Sequence, residues 1–394
     1  MFRYLIGAKI FTFYILLIIF PLSLQDAYAN DLNQKSLTEE LSTVASQTKF
    51  SKFKPLSQSK KSRLDYSVWD EALKEVVVDL GPSSRLRANR ARASVGTRFV
   101  RGHKSPYRLE GSRFTFEYIT DSFVSGLTEY RLDLQDIADT YEITQFSVNE
   151  QLAYWLNLYN VATLEKIAQA YPVQRPDNIR IEIKGQKYSL EEAPFITVME
   201  ENLSLNDIRE NIVYKYWDSP NVIYGFFRGE VGGPMLQSYA FTGDNVKQML
   251  NENADDFVNS LRGFNLGSRT RNVSFLYEES APFFFPNFET DLARHLLRHA
   301  KEDVESEITK PLPIKIDRYD NMIADLSGGR RLGSSGTPTN DLGPSPEVAR
   351  LLREVREKRE YMQRRNQING RKGYVIIEDL VPEEDKSNPY QDND

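Results

Sequence analysis

The chain has 394 residues, no cysteine and a formal net charge of −6, and 40% of its residues are hydrophobic. The lack of cysteine excludes disulfides, thiolate metal sites and thiol catalysis. The acidic balance argues against a general nucleic-acid-binding protein, which would need a basic surface. The length is sufficient for a full hydrophobic core without disulfides.

The N-terminal residues have the pattern of a secretory signal peptide. A basic start is followed by an apolar run at 10–20 and by Ala27-Tyr28-Ala29, the small residues that signal peptidase reads. A retained membrane anchor is the alternative, but the apolar run is shorter than the roughly 20 residues that a bilayer requires. We predict cleavage before Asn30, a periplasmic or secreted mature protein, and no membrane span after cleavage.

Composition divides the rest of the chain into segments. A globular part at 65–326 follows a polar lead-in at 30–64, which we predict to be flexible. After it come a Gly/Ser/Thr/Pro-rich linker at 327–345, a charged helix at 346–368 and an acidic tail at 369–394. The predicted fold class is α+β, with a single helix-rich domain around a small β-sheet.

Residues 82–113, which include the arginines from Arg85 to Arg113, form a basic segment with nine Lys or Arg and one acid, Glu110. One interpretation is a surface for anionic envelope polymers. The other is a loop whose arginines pair with acids in the rest of the chain. We favour the second interpretation, because runs of one charge sign are usually solvated surface.

The strongest helical pattern lies at 149–171. Ser147 and Glu150 form a capping box at its start, and apolar residues cover more than one face, which predicts a helix buried on most sides. Asn157 and Asn160 lie three residues apart within it. A buried amide without partners costs roughly 1–3 kcal/mol, so the pair either fastens neighbouring loops, the commoner role, or forms the wall of a site.

Shorter patterns predict the remaining elements. Further helices are predicted at 66–78, 204–216, 246–261 and 288–301. Strands are predicted at 179–183, 188–190, 221–227, 272–276 and 314–316. The segment 221–227 is the most apolar of these strands and would be central in the sheet.

Two small groups of residues suggest chemistry. His295 and His299 have the helical spacing of a two-imidazole zinc site, but no HExxH glutamate accompanies them. We therefore favour ordinary histidines at the edge of an apolar stripe, and predict no metal and no cofactor. Gly232 and Gly233 could cradle an anion, although a tight turn also explains them. The GxSxG, GxGxxG and Walker motifs are missing from the sequence.

Five short motifs resemble, in chain order, those of the domain-of-unknown-function family 547, and the resemblance extends over about 65–326. The motifs are Trp69-Asp70, Tyr154-Trp155-Leu156-Asn157-Leu158-Tyr159-Asn160, Leu205-Asn206-Asp207-Ile208-Arg209-Glu210, Gly233-Pro234 and Tyr319-Asp320. The resemblance implies that the family's usual cysteine falls at Gly233 and its usual histidine at Glu210. It therefore implies a shared scaffold without a thiolate–imidazole pair.

Three functional hypotheses follow. In the favoured one, the protein is a non-catalytic envelope protein that binds an unknown ligand or partner protein at the family's site. That site would be lined by Asn157, Tyr159, Asn160, Glu210, Gly232, Gly233 and Asp320. In the second, it is a hydrolase of envelope polymers or peptides, with Glu210 and Asp320 as general acid and base. In the third, the apolar stripe from Val348 to Val355 serves assembly.

Overall fold

A computed structural model of the protein describes residues 49–56, 63–90, 102–317, 320–331 and 345–368. The chain divides into two compact units, Met1–Lys54 and Pro55–Asp394, and of the first unit only 49–54 are described. The predicted signal peptide and acidic tail, with most of the linker, lie outside the described residues and stay predictions. None of the helices in the described ranges has the length and hydropathy of a membrane span.

The second unit combines helices with small sheets. The helices are α1 (Ser67–Val76), α2 (Asp121–Thr140), α3 (Val148–Ala170), α4 (Val246–Val258), α5 (Phe275–Phe284), α6 (Phe288–His299), α7 (Glu302–Ile308) and α8 (Pro346–Ile368). The strands are β1 (Val77–Asp79), β2 (Ser112–Phe114), β3 (Arg180–Ile183), β4 (Gln186–Ser189), β5 (Ile196–Val198), β6 (Glu201–Leu203), β7 (Phe264–Leu266), β8 (Arg271–Ser274) and β9 (Ile314–Asp317). Three antiparallel pairs join consecutive strands from β1 to β6, and the remaining sheet has the order β7-β8-β9 with β8 and β9 parallel. The α+β prediction is confirmed.

Helix α3 lies at the centre of the core. Every residue from Glu150 to Glu165 is buried, which confirms the prediction of a helix covered on most sides. Ser147 Oγ accepts a hydrogen bond from the backbone N–H of Glu150 at 3.2 Å, as the capping box predicts. Helix α2 packs along α3, where Arg131 Nε donates to Glu165 Oε2 at 2.5 Å.

The predicted central strand at 221–227 is wrong. Residues Pro220–Gly225 form a 3₁₀ helix. Pro220 fixes a helical φ at its first position, and Ser219 Oγ caps it by accepting the N–H of Asn221 at 3.4 Å. A short buried apolar run has the same composition in a strand and in a helical turn, so periodicity alone could not distinguish them.

Other predicted elements exist with different geometry. The helix expected at 204–216 is wound as a π-helix over Asp207–Tyr214. The strand expected at 272–276 ends at Ser274, because the Ser274 hydroxyl accepts the N–H of Leu276 and starts α5. Helix α2 was not predicted as an element of its own, since its buried face includes Arg131 and Gln135 among the apolar residues and gives a weak apolar stripe.

Helix α8 packs on the chain's own core. Val348 and Leu351 form an apolar cluster with Leu326. Arg108, whose side chain is 3% exposed, donates to both carboxylate oxygens of Glu354, at 2.7 and 3.0 Å. The apolar stripe of this helix is therefore covered by the protein itself.

Several arginines of the basic segment also serve internal contacts. Arg85 pairs with Glu307 at 2.5 Å. Arg113 is 1% exposed and donates to the carbonyl oxygens of Glu110, Ser112 and Tyr107. The arginines at 92, 98 and 101 lie outside the described residues, so an anionic-polymer surface on that part of the segment stays a prediction.

Candidate functional site

The two amides of α3 fasten loops. Asn157 Nδ2 donates to the carbonyl oxygen of Phe241 at 2.7 Å, and Asn157 Oδ1 accepts the N–H of Phe241 at 3.1 Å. Asn160 Nδ2 donates to the carbonyl oxygen of Gly225 at 3.0 Å, and its Oδ1 accepts the N–H of Phe227 at 2.9 Å. Both side chains are 0% exposed. Their hydrogen bonds satisfy loop N–H and carbonyl groups that, in a sheet, a neighbouring strand would satisfy.

Gly232 packs tightly against the backbone of Asp320. The N–H of Gly232 donates to the carbonyl oxygen of Asp320 at 2.8 Å. A Cβ on Gly232 would lie 2.6 Å from the backbone nitrogen of Asp320, so only glycine fits. The cavity beside these two residues measures about 10 Å³, the room for a single water molecule. The cavity at this position is therefore small.

Tyr159 and Glu210 meet through a different residue, Arg209. The π-helix places the Arg209 guanidinium, 3% exposed, where it bonds to several oxygens. Its partners are Tyr159 Oη at 3.4 Å, Glu210 Oε1 at 3.1 Å, Glu279 Oε1 at 3.2 Å and Glu191. Burial lowers the pKa of Arg209, but Glu191 and the other anionic neighbours more than offset it and raise that pKa above its ordinary value.

The residues of the predicted site have different hydrogen-bond partners. Gly232 contacts Asp320, Tyr159 contacts Glu210 through Arg209, and the two amides contact loops. The Asp320 carboxylate accepts hydrogen bonds from the Ser105 hydroxyl at 2.5 Å and from the N–H of Met322 at 3.2 Å. Glu210 and Asp320, the predicted acid–base pair, share no partner in these hydrogen bonds, and their pairing stays a prediction.

Glu230 interacts electrostatically both with Glu191, a partner of Arg209, and with Asp320. It is 9% exposed, and its backbone pairs with Ile323 in a β-bridge. Burial raises the pKa of Glu230 to about 8; Arg228 opposes this effect, while Glu191, Asp177 and Asp320 reinforce it. Sequence patterns did not identify Glu230 as a candidate, because its only distinctive feature is its position between two glycine-containing turns.

A larger cavity of about 600 Å³ opens on another face of α3. We call it the α1–α4 cleft, since it lies between the start of α1, the start of α3 and residues 237–252. Its lining residues are Arg63, Leu64, Asp65, Tyr66, Ser67, Asp70, Glu150, Gln237, Tyr239, Ala240, Thr242, Gly243, Asp244, Asn245, Gln248, Met249 and Glu252.

The Glu150 carboxylate joins the two walls of this cleft. Its Oε1 accepts the N–H of Leu64 at 3.0 Å, and its Oε2 accepts the N–H of Gly243 at 3.1 Å. Nearby, Tyr66 is 3% exposed, and its hydroxyl is buried, with the Asn157 side chain as its hydrogen-bonding neighbour.

Residues 143–258 match the family described as "Protein of unknown function, DUF547". The chain carries a DUF547 domain. This match confirms the resemblance over those residues, and no curated protein or solved structure matches the chain. The DUF547 domain supplies α3, the Arg209 π-helix, the glycine pair and one wall of the α1–α4 cleft, whereas Asp320 and the start of α1 lie outside it.

The two histidines of α6 pack against the DUF547 domain. His295 Nε2 hydrogen-bonds with the Tyr224 hydroxyl at 2.8 Å, and burial lowers the pKa of His295 to about 3. His299 lies between Asp255, at 2.6 Å, and Asn221, at 3.1 Å. Among the residues that the structure describes, no three histidines or carboxylates are grouped to hold a metal ion.

Glu230→Gln should remove a pH-dependent penalty on stability. Because the folded pKa is raised from 4.5 to about 8, the folded protein holds a proton that the unfolded chain has lost in this interval. Wild-type stability therefore falls as the pH rises from 4.5 to 8. The variant should gain roughly 1–3 kcal/mol over wild type between these two pH values.

Urea unfolding at pH 4.5 and at pH 8 measures this gain. Glu182→Gln, at an exposed position of β3, is the matched control and should change little at either pH. An equal stability difference between Glu230→Gln and wild type at both pH values would contradict the assignment.

Proposed function

We propose that this protein is an exported envelope protein that binds a small ligand in the α1–α4 cleft and does not turn it over. The observation that supports this proposal is the contrast between two cavities. The resemblance implies that the family's usual cysteine falls at Gly233, and its neighbour Gly232 lines a cavity of about 10 Å³, whereas the cleft has about 600 Å³. The larger volume lies in the range of small-molecule sites.

The binding role is the one inferred from the sequence, but we place the site in the α1–α4 cleft and not at the residues predicted from the family resemblance. Tyr159 and Glu210 are bonded to Arg209, and Asn157 and Asn160 are bonded to loop backbone, so their polar groups already have protein partners. The cleft walls are held in place by Glu150 and by the Asn157–Phe241 bonds. A site built on a rigid buried helix loses little conformational entropy on binding.

Export is supported by the basic start, the apolar run at 10–20 and Ala27-Tyr28-Ala29. N-terminal sequencing of the protein recovered from the periplasm or the medium should give Asn30 as the first residue. Recovery of an uncleaved chain with the membrane fraction would contradict export by a cleaved signal peptide.

A carboxylate-dependent hydrolase of envelope polymers or peptides is the second candidate. The observation in its favour is Glu230, since a buried carboxyl with a pKa raised to about 8 is protonated at neutral pH and could act as a general acid. The pair Glu210 and Asp320, predicted from the sequence as general acid and base, stays a prediction beside Glu230.

Filling the cleft should abolish binding while leaving the fold intact. Gln248 is exposed on α4 and lines the cleft, so Gln248→Trp places an indole in the cleft. The control is Lys247→Trp, because Lys247 is an exposed neighbour that does not line the cleft. A thermal-shift panel of neutral sugars, amino sugars, organic acids, diamines and short peptides would be measured on all three proteins. A ligand present at a free concentration of 100 times its Kd stabilises the folded state by about 2.7 kcal/mol.

At least one class of ligand should raise the Tm of wild type and of Lys247→Trp, but not the Tm of Gln248→Trp. Incubation with envelope polysaccharide or peptides should give no product. Turnover that persists in Gln248→Trp and disappears in Glu230→Gln would favour the hydrolase instead. A panel without any ligand for wild type would contradict the binding proposal.

A further inference from the structure

Residues 103–109 contact both the small cavity beside Gly232 and helix α8. Tyr107 lines this cavity of about 10 Å³ together with Asp320. The Ser105 hydroxyl donates to Asp320 Oδ2 at 2.5 Å, next to the same cavity. We call residues 103–109 the cap, because the cavity that they help to enclose has room for a single water molecule.

Hydrogen bonds also hold the cap to the core. His103 Nε2 bonds to the carbonyl oxygen of Ile323 at 3.1 Å, and Arg113 Nη2 donates to the carbonyl oxygen of Tyr107 at 3.0 Å. Each such bond has a modest net effect on stability, because the same groups bond to water when the segment is open. These contacts alone therefore do not fix the cap firmly.

Helix α8 holds the cap through charged side chains. Arg108 Nε and Nη2 donate to the two carboxylate oxygens of Glu354 at 2.7 and 3.0 Å. Lys358 Nζ donates to the carbonyl oxygen of Leu109 at 2.8 Å. Leu109 also packs against the apolar cluster that α8 forms with Leu326. The cap is thus bonded to α8 at residues 108 and 109, directly after the tyrosine that lines the cavity.

Docking of α8 carries an energetic cost. Arg108 and Glu354 lose hydration when they pair, and this loss offsets much of their attraction. Burial lowers the pKa of Lys358 to about 8, because its ammonium is desolvated in the same way. Few side chains of α8 are both apolar and buried, whereas α3 is buried along most of its length. Elements with few buried apolar contacts open at lower free energy than the core, so we expect α8 to undock before the core unfolds.

We propose that α8 is a latch on the cap, so that release of α8 lets residues 103–109 move and opens the cavity beside Gly232 to solutes. The Arg108–Glu354 pair is the main contact of this latch. A helix outside the DUF547 match thereby controls access to backbone inside it. The inference goes beyond the proposed binding in the α1–α4 cleft and does not depend on it.

Thiol reactivity can test the latch, because the chain has no cysteine and a single introduced thiol is the only one that reacts. Ser274 lines the cavity and is 4% exposed, so Ser274→Cys places a thiol there. Ala162→Cys, at a position of α3 that is 0% exposed, reports on unfolding of the core. Each thiol is reacted with excess DTNB in the mature chain, since this reagent is far larger than the closed cavity.

Glu354→Gln releases the latch in both backgrounds, because it removes the charge that pairs with Arg108 and keeps the side-chain shape. The backbone amides of α8 should exchange at least about tenfold faster, and the thiol of Ser274→Cys should react about tenfold faster. The thiol of Ala162→Cys should react at an unchanged rate. Glu357→Gln, at an exposed residue of α8, is the matched control and should change none of the three rates.

Three results would overturn the latch. Equal acceleration of both thiols would mean that Glu354→Gln weakens the whole fold. Faster exchange in α8 without faster reaction of the Ser274→Cys thiol would mean that the cap stays closed when α8 leaves. Unchanged exchange in α8 would mean that the Arg108–Glu354 pair does not hold the helix.

Discussion

The side chains of α3 that bond to loop backbone are the interactions on which the rest of the structure depends. A buried helix satisfies its own backbone groups internally, so it can hold neighbouring loops only through side chains. Asn157, Asn160 and Glu150 do this for the loops at 241, 225–227 and 243. These loops contain no long strands, so several of their backbone groups bond to side chains, and these three side chains of α3 are among them.

The same interactions separate a closed region from an open one. On one side, the chain from Phe227 to Gly233 is drawn into the core, and Gly232 lies on the backbone of Asp320 with no room for a side chain. On the other, Asn157 and Glu150 fix the loop at 240–243, and this loop and the start of α1 line the α1–α4 cleft. The difference between the two regions is the physical basis for placing the ligand in the cleft.

Local patterns in the sequence were sufficient to predict α3, its capping box and the structural role of its two amides. The segment 221–227 was mispredicted because Pro220 and Ser219 start a 3₁₀ helix in a run whose composition suits a strand. The cleft could not be predicted, since Glu150 joins Leu64, 86 residues away, to Gly243, 93 residues away. Motif order along the chain likewise could not reveal that Arg209 hydrogen-bonds to both Tyr159 and Glu210.

Native-state hydrogen exchange of the backbone amides of Phe227 and Phe241 tests the role of α3 most directly. Both lie in loops, yet if Asn160 and Asn157 hold them, they should exchange as slowly as the amides inside α3, through global unfolding. The backbone amide of Tyr239, an exposed residue in the same stretch, should exchange much faster. Exchange of Phe227 and Phe241 at the rate of Tyr239 would contradict the account, because the loops would then open without α3.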